Sequence, residues 1–337
     1  MCRPDTLDDV VALVRRSGLV DPDMLRRFLD LFARSGLGGR GAPLSPAGLL
    51  ALMVEEGLLT RFQATELGAG RSELWVGPYR VRDELGRGGM GVVYLAEDTT
   101  GALVAVKVLS AGLRDDPGAR DRFRHEARAA AAIAHPNVVR VLSADPAHDP
   151  PYLVMEYVDG VSLQAAVARH GTFSAGEAAA VGLGVAAGLA PAAAVGLTHR
   201  DIKPANVLVD RAGAVKILDL GVARFASDPL SRRHDSALVI GTLDYLAPEQ
   251  AVDSSAVDPR ADLYALGATL YFLLAGHPPF PEPDFGRKLA LKQEADPPPL
   301  TALRPDVPAG LAAVVARLMA REPAARYPSP AAAAAAL

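Results

Sequence analysis

The sequence has few of the residues that mark several protein classes. Its one cysteine, Cys2, cannot form an intramolecular disulfide, so a reducing compartment is the natural interpretation. It also lacks a basic excess: 35 Lys and Arg stand against 39 Asp and Glu, which gives a formal net charge of −4. Because a nucleic-acid binder needs a basic face to displace counterions from phosphates, we expect no nucleic-acid partner.

We also expect no N-terminal signal peptide, because Asp8, Asp9, Arg15 and Arg16 interrupt any uncharged run. One stretch, residues 178–198, carries no formal charge and is long enough to span a membrane. Alanine and glycine dominate this stretch and Pro191 interrupts it, and a helix that is apolar all round can equally be buried in a protein core. We therefore expect no membrane span.

What the chain does have is material for a packed core, since 50% of its residues are apolar and 22% are charged. A length of 337 residues favours about two domains. Residues 1–76 predict short helices: Thr6 begins a capping pattern, and Pro22 and Pro46 stand where first helical turns accept proline. Apolar residues from Leu25 to Phe32 recur at helical spacing, so this segment is expected to bury one face.

From Tyr79 onward the pattern changes to short strands. Strands are predicted at residues 79–85, 92–97, 103–109 and 152–158, with a helix over residues 120–134 before the last of them. Beyond Leu163 the chain is mostly helical, except for two short strands that flank a turn at residues 210–213. The sequence thus predicts an α+β protein with a small, sheet-rich half and a larger, helical half.

A glycine-rich run joins the first two of these strands and fits the pattern G-x-G-x-x-G. Its residues are Gly86, Arg87, Gly88, Gly89, Met90 and Gly91. Glycine lets a backbone approach phosphates closely, but this pattern alone also fits an ordinary turn or a dinucleotide-binding loop. A dinucleotide loop opens a helix, whereas this one leads into a strand-like run that contains Val93. The flanking residues therefore favour a phosphate-binding loop between two strands.

A lysine and a glutamate follow in the order that phosphate binding requires. Lys107 lies on the third predicted strand among apolar neighbours, and Glu126 lies on the predicted helix after it. Taken singly, a strand lysine is usually solvated at an edge and a helical glutamate is usually on the surface. Taken together with the loop, Glu126 is expected to pair with Lys107 and direct it toward ATP phosphates.

The decisive pattern is the string His-Arg-Asp-Ile-Lys-Pro-Ala-Asn at residues 199–206, followed by Asp-Leu-Gly at residues 219–221. In-line phosphoryl transfer needs a carboxylate to accept the hydroxyl proton, which we assign to Asp201. It needs ligands for magnesium, assigned to Asn206 and Asp219, and a cation beside the transferring group, assigned to Lys203. These residues predict an enzyme that transfers the γ-phosphoryl group of Mg-ATP.

Together these motifs resemble the bacterial Hanks-type serine/threonine protein kinases, and the resemblance runs from Tyr79 to Leu337. It implies a bilobal kinase fold, with a small lobe at residues 79–157 and a large lobe at residues 158–337. Residues 1–76 are then a helical N-terminal extension. The resemblance also implies ATP, with Mg²⁺ or Mn²⁺, as cofactors, and protein substrates with Ser or Thr acceptors.

The same resemblance assigns the adenine site. Met155 corresponds to the gatekeeper, and the backbone of Glu156 and Val158 to the hinge that bonds adenine. Side chains that would enclose the base are Leu85, Val93, Ala105 and Leu208. Farther along the chain, Asp262 resembles the buried aspartate that supports the catalytic loop, and Arg326 the partner of Glu249.

Substrate class and regulation follow from the resemblance too. Lys203 with Thr242 is typical of serine/threonine rather than tyrosine kinases. Arg200, before Asp201, suggests control by activation-loop phosphorylation, since a phosphate there would give that arginine a charged partner. The positions to consider are Ser227, Ser231, Ser236 and Thr242, of which Ser236 matches the position that bacterial relatives phosphorylate.

Some features depart from the family or stay open. Pro191 lies in the helix before the catalytic loop, and an interior proline weakens a helix by about 3 kcal/mol. A catalytically inactive member of the fold and a small-molecule phosphotransferase are the alternatives, and the peptide-binding segment at residues 247–249 argues against the second. The N-terminal extension is either a brace on the small lobe or a docking surface. By family analogy we expect a cytoplasmic protein that can form a homodimer for activation.

Overall fold

The computed structural model describes residues 3–34, 45–89, 91–218, 243–252 and 257–337. Two compact units emerge from the contacts within the chain. The first contains residues 1–112 and 147–157, and the second contains residues 113–146 and 158–337.

The first unit begins with four helices and continues into a sheet. The helices are α1 (Leu7–Ser17), α2 (Pro22–Arg34), α3 (Pro46–Glu55) and α4 (Arg61–Gly68). The strands of this unit are β1 (Trp75–Val76), β2 (Tyr79–Gly88), β3 (Gly91–Glu97), β4 (Leu103–Leu109) and β6 (Tyr152–Glu156). Residues 3–34 and 45–76 are called the N-terminal segment below.

Capping side chains set where the helices of the N-terminal segment begin, as the sequence predicts. Thr6 and Thr60 each form a capping box, and Ser45 caps α3, which has Pro46 in its first turn. The segment has a core of its own, in which Val14, Leu49 and Met53 are almost fully buried. Removal of such side chains from water is the main stabilising contribution to this segment.

The sheet of the first unit is antiparallel, with β1, β2, β3, β4 and β6 in that order. Between β2 and β3 the register shifts twice, because no residue of β3 lies directly opposite Arg82 or Leu85. Such bulges leave one residue unpaired and bend the strand locally. One face of the sheet packs around Val81, Val106 and Val154, where Phe62 of the N-terminal segment joins the cluster.

The second unit is mostly helical. Its helices are α5 (Pro117–Ala131), α6 (Leu163–His170), α7 (Ala175–Ala194), α8 (Pro248–Val252), α9 (Arg260–Ala275), α10 (Phe285–Glu294), α11 (Leu300–Leu303), α12 (Ala309–Leu318) and α13 (Pro330–Ala334). Its strands are β5 (Val141–Asp145), β7 (Gly160–Ser162), β8 (Val207–Asp210) and β9 (Val215–Ile217), of which the last three form an antiparallel sheet. Helix α9 is buried along almost all of its length and lies at the centre of the core.

Helix α7 contains most of the uncharged stretch of the sequence. Within the described residues it is the one helix long and apolar enough to cross a membrane. Its glycines have a packing role, because a Cβ at Gly184 would lie 2.7 Å from the Val215 side chain and one at Gly188 would lie 2.8 Å from Ile217. Val185 and Leu189 are buried in the core of the second unit. This packing accounts for the apolar composition of α7 as that of a core helix.

The predicted fold is confirmed, with small differences at element ends. Strand β2 continues to Gly88, so the turn of the Gly-rich run is shorter than predicted, and α5 begins at Pro117 rather than at residue 120. Three short strands, β1, β5 and β7, were not predicted, because two to five partly exposed residues give no clear alternation.

Candidate active site

The predicted site residues are divided between the two units. The first unit holds the Gly-rich run, Val93, Ala105, Lys107, Met155 and Glu156, and the second holds Glu126, Val158, Asp201, Lys203, Asn206 and Leu208. Met90, Asp219, Ser227, Ser231, Ser236 and Thr242 lie outside the described residues.

One face of the first unit's sheet gathers four of the predicted residues. Val93 lies opposite Lys107 across β3 and β4, and Ala105 lies opposite Met155 across β4 and β6. Directly opposed residues in an antiparallel pair share a face, as do residues two apart on one strand. All four therefore lie on the face opposite the cluster that Phe62 joins. Lys107 is 9% exposed. A lysine is rarely buried to this extent unless it is paired, so this burial fits the binding of an anion better than solvation at a sheet edge.

The glycines of the Gly-rich run fall into two kinds. At Gly91 a Cβ would lie 2.0 Å from the Val108 carbonyl oxygen, so this glycine is required by the close approach of β4. At Gly86, Gly88 and Gly89 a Cβ would meet nothing within 4 Å. The fold itself therefore does not require these three glycines, and the open space beside their backbone suits the close approach of phosphates.

In the second unit, Asp201 lies at the centre of a polar cluster. Lys203 Nζ donates to the Asp201 carboxylate at 3.0 Å, and Asn206 Nδ2 donates to Asp201 Oδ2 at 2.8 Å and to its backbone oxygen at 2.9 Å. The sequence places these residues two and five positions apart, and the 3₁₀ turn Pro204–Asn206 brings them together. A carboxylate fixed by a cation and an amide has a defined orientation, as a proton acceptor for a hydroxyl requires.

Asn206 is also oriented as a metal ligand would be. Because its Nδ2 donates both bonds to Asp201, its amide oxygen is the atom that can bind a hard cation. Its backbone oxygen accepts from Leu218 N at 2.8 Å, which fixes the residue just before Asp219 beside it. Within the described ranges, no group of three or more His, Cys, Asp or Glu could hold a metal. The expected partner ligand, Asp219, lies outside them.

Asp262 supports the backbone of this loop from α9. Its carboxylate accepts from the amides of His199, at 2.6 Å, and Arg200, at 2.8 Å. Arg200 has φ 66°, a left-handed conformation that an arginine adopts only when its surroundings impose it. Burial raises the pKa of Asp262, and the electrostatic interaction with His199, the two amide bonds and the nearby charge of Arg200 oppose that effect. This is the supporting role that the family resemblance implies for Asp262.

His199 is fully buried and links the loop to the strand that precedes Asp219. Its Nδ1 accepts from the Asp201 amide at 3.3 Å, which leaves Nε2 to donate to the Leu218 oxygen at 3.1 Å. One imidazole therefore holds the residue before Asp219 and the backbone of Asp201 at fixed positions.

The ion pair expected between Glu249 and Arg326 is present. Two parallel bonds of 2.6 and 2.7 Å join them, and the Arg326 side chain is fully buried. Arg326 also donates to the backbone oxygens of Ala320, Arg260 and Arg321. A planar guanidinium suits such a site, because its five donors point in fixed directions.

Two lysines of α10 were missed by the sequence reasoning, since lysines on a helix usually face water. Lys288 forms a buried ion pair with Asp244, and Lys292 donates to the backbone oxygens of Asp244 and Leu246, each at 2.9 Å. They fix residues 244–246, just before the segment that the sequence assigns to peptide binding. Burial lowers the pKa of Lys292 to about 7, which Asp244 partly opposes. Nothing in the local sequence pattern identifies this pairing.

Of the remaining predicted residues, Leu85 is exposed at the second bulge of β2, and Glu156 ends β6. Leu208 is half-buried on β8. Glu126 lies on α5, but its side chain is not among those that the structure describes. Its expected pairing with Lys107 therefore stays a prediction.

Comparisons with known proteins agree with this geometry. Residues 79–333 match the family model described as protein kinase domain. The chain is 42% identical over 258 residues to serine/threonine-protein kinase Pkn1 of Myxococcus xanthus, covering 75% of this chain and 37% of that protein. It is also 42% identical over 255 residues to PknB of Mycobacterium tuberculosis, covering 74% of this chain and 40% of that protein.

A solved structure shows the same fold. The crystal structure of the Mycobacterium tuberculosis PknI kinase domain aligns with a TM-score of 0.60 at 33% identity, covering 78% of this chain and 96% of that one. The chain spans less than half the length of the two curated relatives above. The family match begins at Tyr79, after the N-terminal segment.

Proposed function

The chain belongs to the protein kinase family, and from this premise we propose that it transfers the γ-phosphoryl group of ATP to serine or threonine hydroxyls of proteins. The observation that carries the proposal is the orientation of Asp201 by Lys203 and Asn206, on a backbone that Asp262 supports. A transferase needs its proton acceptor held in a fixed direction, whereas a protein that only binds nucleotide does not.

In the proposed reaction, Asp201 accepts the proton of the substrate hydroxyl while the hydroxyl oxygen attacks the γ-phosphorus. The bond from the γ-phosphorus to the β,γ-bridging oxygen breaks, and ADP leaves. Lys203, which is bonded to Asp201, places a positive charge beside the transferring group. Lys107 holds the ATP phosphates, and Glu126 is its proposed partner. The same proposal includes the enclosure of adenine by Leu85, Val93, Ala105 and Leu208, with Met155 as the gatekeeper. It also includes the bonding of adenine by the backbone of Glu156 and Val158.

Members of this family use a divalent metal with ATP. We propose Mg²⁺, held by Asn206 and Asp219, where it would neutralise phosphate charge. Manganese is an alternative ion for the same oxygen ligands. Support comes from the amide oxygen of Asn206, which its own bonds to Asp201 leave as the ligand atom.

Regulation, partners and location complete the proposal. We propose activation by autophosphorylation in the activation loop, at Ser236 or one of Ser227, Ser231 and Thr242, and activation through a homodimer. A phosphate there would give Arg200 an anionic partner.

A cytoplasmic location is supported by the packing of α7, whose apolar face is buried in the core of the second unit. Residues 1–76 are proposed as a distinct extension ahead of a kinase domain at residues 79–337.

The test is transfer of γ-labelled phosphate, with Mg²⁺, from ATP to the protein itself and to a generic basic protein substrate. Asp201→Asn removes the proton acceptor, and Lys107→Met removes the phosphate-binding cation, so both should abolish transfer. Phosphoamino-acid analysis should find the label on Ser or Thr.

Two outcomes would overturn the proposal. Label on tyrosine would assign the other kinase class. No transfer by the unmodified protein, together with a rise of its melting temperature in Mg·ATP, would assign a nucleotide-binding protein without catalysis. Thermal shifts of both variants, measured beside transfer, show whether each variant is folded.

A further inference from the structure

The N-terminal segment contacts β2 at its first bulge. Arg82 is the residue that the register shift leaves without an opposed residue on β3, although its side chain pairs with Glu97. The Thr60 hydroxyl donates to the Arg82 backbone oxygen at 2.6 Å, and Gln63 Nε2 donates to the Val81 oxygen at 2.7 Å. Gln63 is 3% exposed, so the second bond lies in a buried setting where an unmade hydrogen bond is costly.

These two side chains have a second role within α4. Thr60 is the N-cap, its hydroxyl oxygen accepts from Gln63 N at 3.1 Å, and Gln63 Oε1 accepts from Thr60 N at 2.8 Å. Each therefore uses its acceptor oxygen to begin the helix and its donor hydrogens to hold β2. The start of α4 and the bulge of β2 are fixed by the same two side chains.

A third contact leads from α4 toward the Gly-rich run. Phe62 packs against Tyr94 of β3, with ring centroids 6.2 Å apart. Tyr94 lies opposite Glu84 in the register, and Glu84 forms an ion pair with Arg87 of the Gly-rich run. The Tyr94 hydroxyl also lies beside the Arg87 guanidinium. Tyr94 is thus the single residue that lies between Phe62 of α4 and Arg87 of the Gly-rich run.

We propose that helix α4 positions the hairpin of β2 and β3, through Thr60, Gln63 and Phe62, and thereby sets the affinity for the ATP phosphates. A bulge bends its strand, so the partners of the bulge determine where the end of the hairpin lies. That end carries Gly86, Gly88 and Gly89. Thr60, Gln63 and Phe62 are positioning residues, because none of them lies on the face of Lys107. Phe62 packs on the opposite face, and Thr60 and Gln63 bond main-chain oxygens of β2. The inference rests on the proposed function for the role of the Gly-rich run.

The chain allows variants that separate the two roles of each side chain. Thr60→Asp keeps a good N-cap acceptor but has no hydroxyl donor for the Arg82 oxygen. Gln63→Glu keeps the capping-box acceptor but has no donor for the Val81 oxygen. Thr60→Ser keeps both roles and serves as the conservative rescue. Thr6→Val removes a capping box from α1 of the same segment, and serves as the control for a loss of stability alone.

The experiment measures KM for ATP, kcat and melting temperature for each variant, and the Kd of Mg·ADP by titration calorimetry. Thr60→Asp and Gln63→Glu should each raise KM for ATP and the Kd of Mg·ADP about three- to tenfold, the range expected if the free energy of one hydrogen bond is lost from the nucleotide-bound state alone. Their kcat should change less than twofold. Thr60→Ser and Thr6→Val should keep the unmodified KM and Kd, although Thr6→Val lowers the melting temperature.

Lower melting temperatures with unchanged KM and Kd in Thr60→Asp and Gln63→Glu would overturn the inference and leave α4 as a brace only. An equal rise of KM in Thr6→Val would also overturn it, since general loosening of the segment would then suffice. The Mg·ADP titration needs no turnover, so it tests the positioning role even if phosphoryl transfer is absent.

Discussion

Asp262 Oδ1 accepts a hydrogen bond of 2.8 Å from the backbone amide of Arg200, the one described non-glycine residue with positive φ. A left-handed arginine costs about 1–3 kcal/mol and persists only where its surroundings impose it. The second carboxylate oxygen accepts from His199, so a single side chain of α9 fixes two consecutive amides ahead of Asp201. The geometry of the loop around Asp201 thus depends on a residue more than sixty positions away.

Asp262→Asn should therefore lower activity more than nucleotide binding. The asparagine has one acceptor oxygen for two amides, and its NH₂ group would face the other amide. Loss of a charge-assisted bond of about 1.5–3 kcal/mol predicts a kcat about ten- to a hundredfold lower, with KM for ATP nearly unchanged. Steady-state kinetics checks this. Asp258→Asn, which removes a carboxylate paired with Arg260 near the start of α9, is the control and should leave kcat within twofold.

The glycines of the Gly-rich run should separate into a structural and a ligand-binding class. Gly91→Ala places a Cβ 2.0 Å from the Val108 oxygen, and such overpacking costs about 1–3 kcal/mol of unfolding free energy. Gly89→Ala meets open space, so its stability should be unchanged while KM for ATP rises. Urea unfolding and kinetics on both variants check the separation. Equal loss of stability in the two variants would contradict it.

The free energy of unfolding should depend on pH through Lys292. Its pKa is about 7 in the folded protein, against 10.5 for an exposed lysine. Below about pH 7 both states hold the proton and the burial penalty is fully present. Between the two values only the unfolded state keeps it, so unfolding takes up a proton and stability rises with pH. Asp244, Lys288 and Tyr264 are the charged or titratable groups that face it.

The pH dependence of the unfolding free energy is compared with that of Lys292→Met, which keeps a side chain of similar length without a titrating group. The unfolding free energy of the unmodified protein minus that of the variant should rise between pH 7 and pH 9, by at most about 1.4 kcal/mol per pH unit. Urea titrations at four pH values measure this difference. A difference that stays flat, or falls with pH, would show that Lys292 keeps its proton in the folded state.

Replacing Pro191 should stabilise the protein. Proline in the interior of α7 removes one backbone donor, and alanine is favoured over proline there by as much as about 3 kcal/mol. Pro191→Ala should therefore raise the melting temperature by several degrees. Pro46→Ala is the matched control, because a proline in the first turn of a helix costs no hydrogen bond. A lower melting temperature for Pro191→Ala would mean that the proline ring packs to advantage.

The sequence was a good guide wherever neighbouring residues decide the structure. The string from His199 to Asn206 predicted the cluster around Asp201, because a short loop and one 3₁₀ turn bring those side chains together. Thr6, Pro22 and Pro46 predicted helix starts, since capping is a local interaction. The strands β2, β3 and β4 followed from runs of β-branched and aromatic residues.

Long-range pairings could not be predicted in the same way. Lys288 and Lys292 follow Asp244 by more than forty residues, and on a helix they have the spacing of a solvated face. Only the packing of α10 shows that they are buried. Gln63 is a similar case, because a glutamine at the third position of a helix predicts a capping box but not its second bond to β2. The bulge at Arg82 leaves no mark in the sequence of β2.

The contacts of α4 and β1 also cover the outer edge of β2, which is the edge away from β3. Val81 N donates to the Leu74 oxygen, and the oxygens of Val81 and Arg82 accept from Gln63 and Thr60, so side chains and a two-residue strand occupy the positions that another strand would take. A chain shortened to start at Tyr79 would keep the whole matched family region yet present bare main-chain donors and acceptors along β2. Such an edge recruits strands from other molecules, so the shortened protein should self-associate where the longer one stays dispersed.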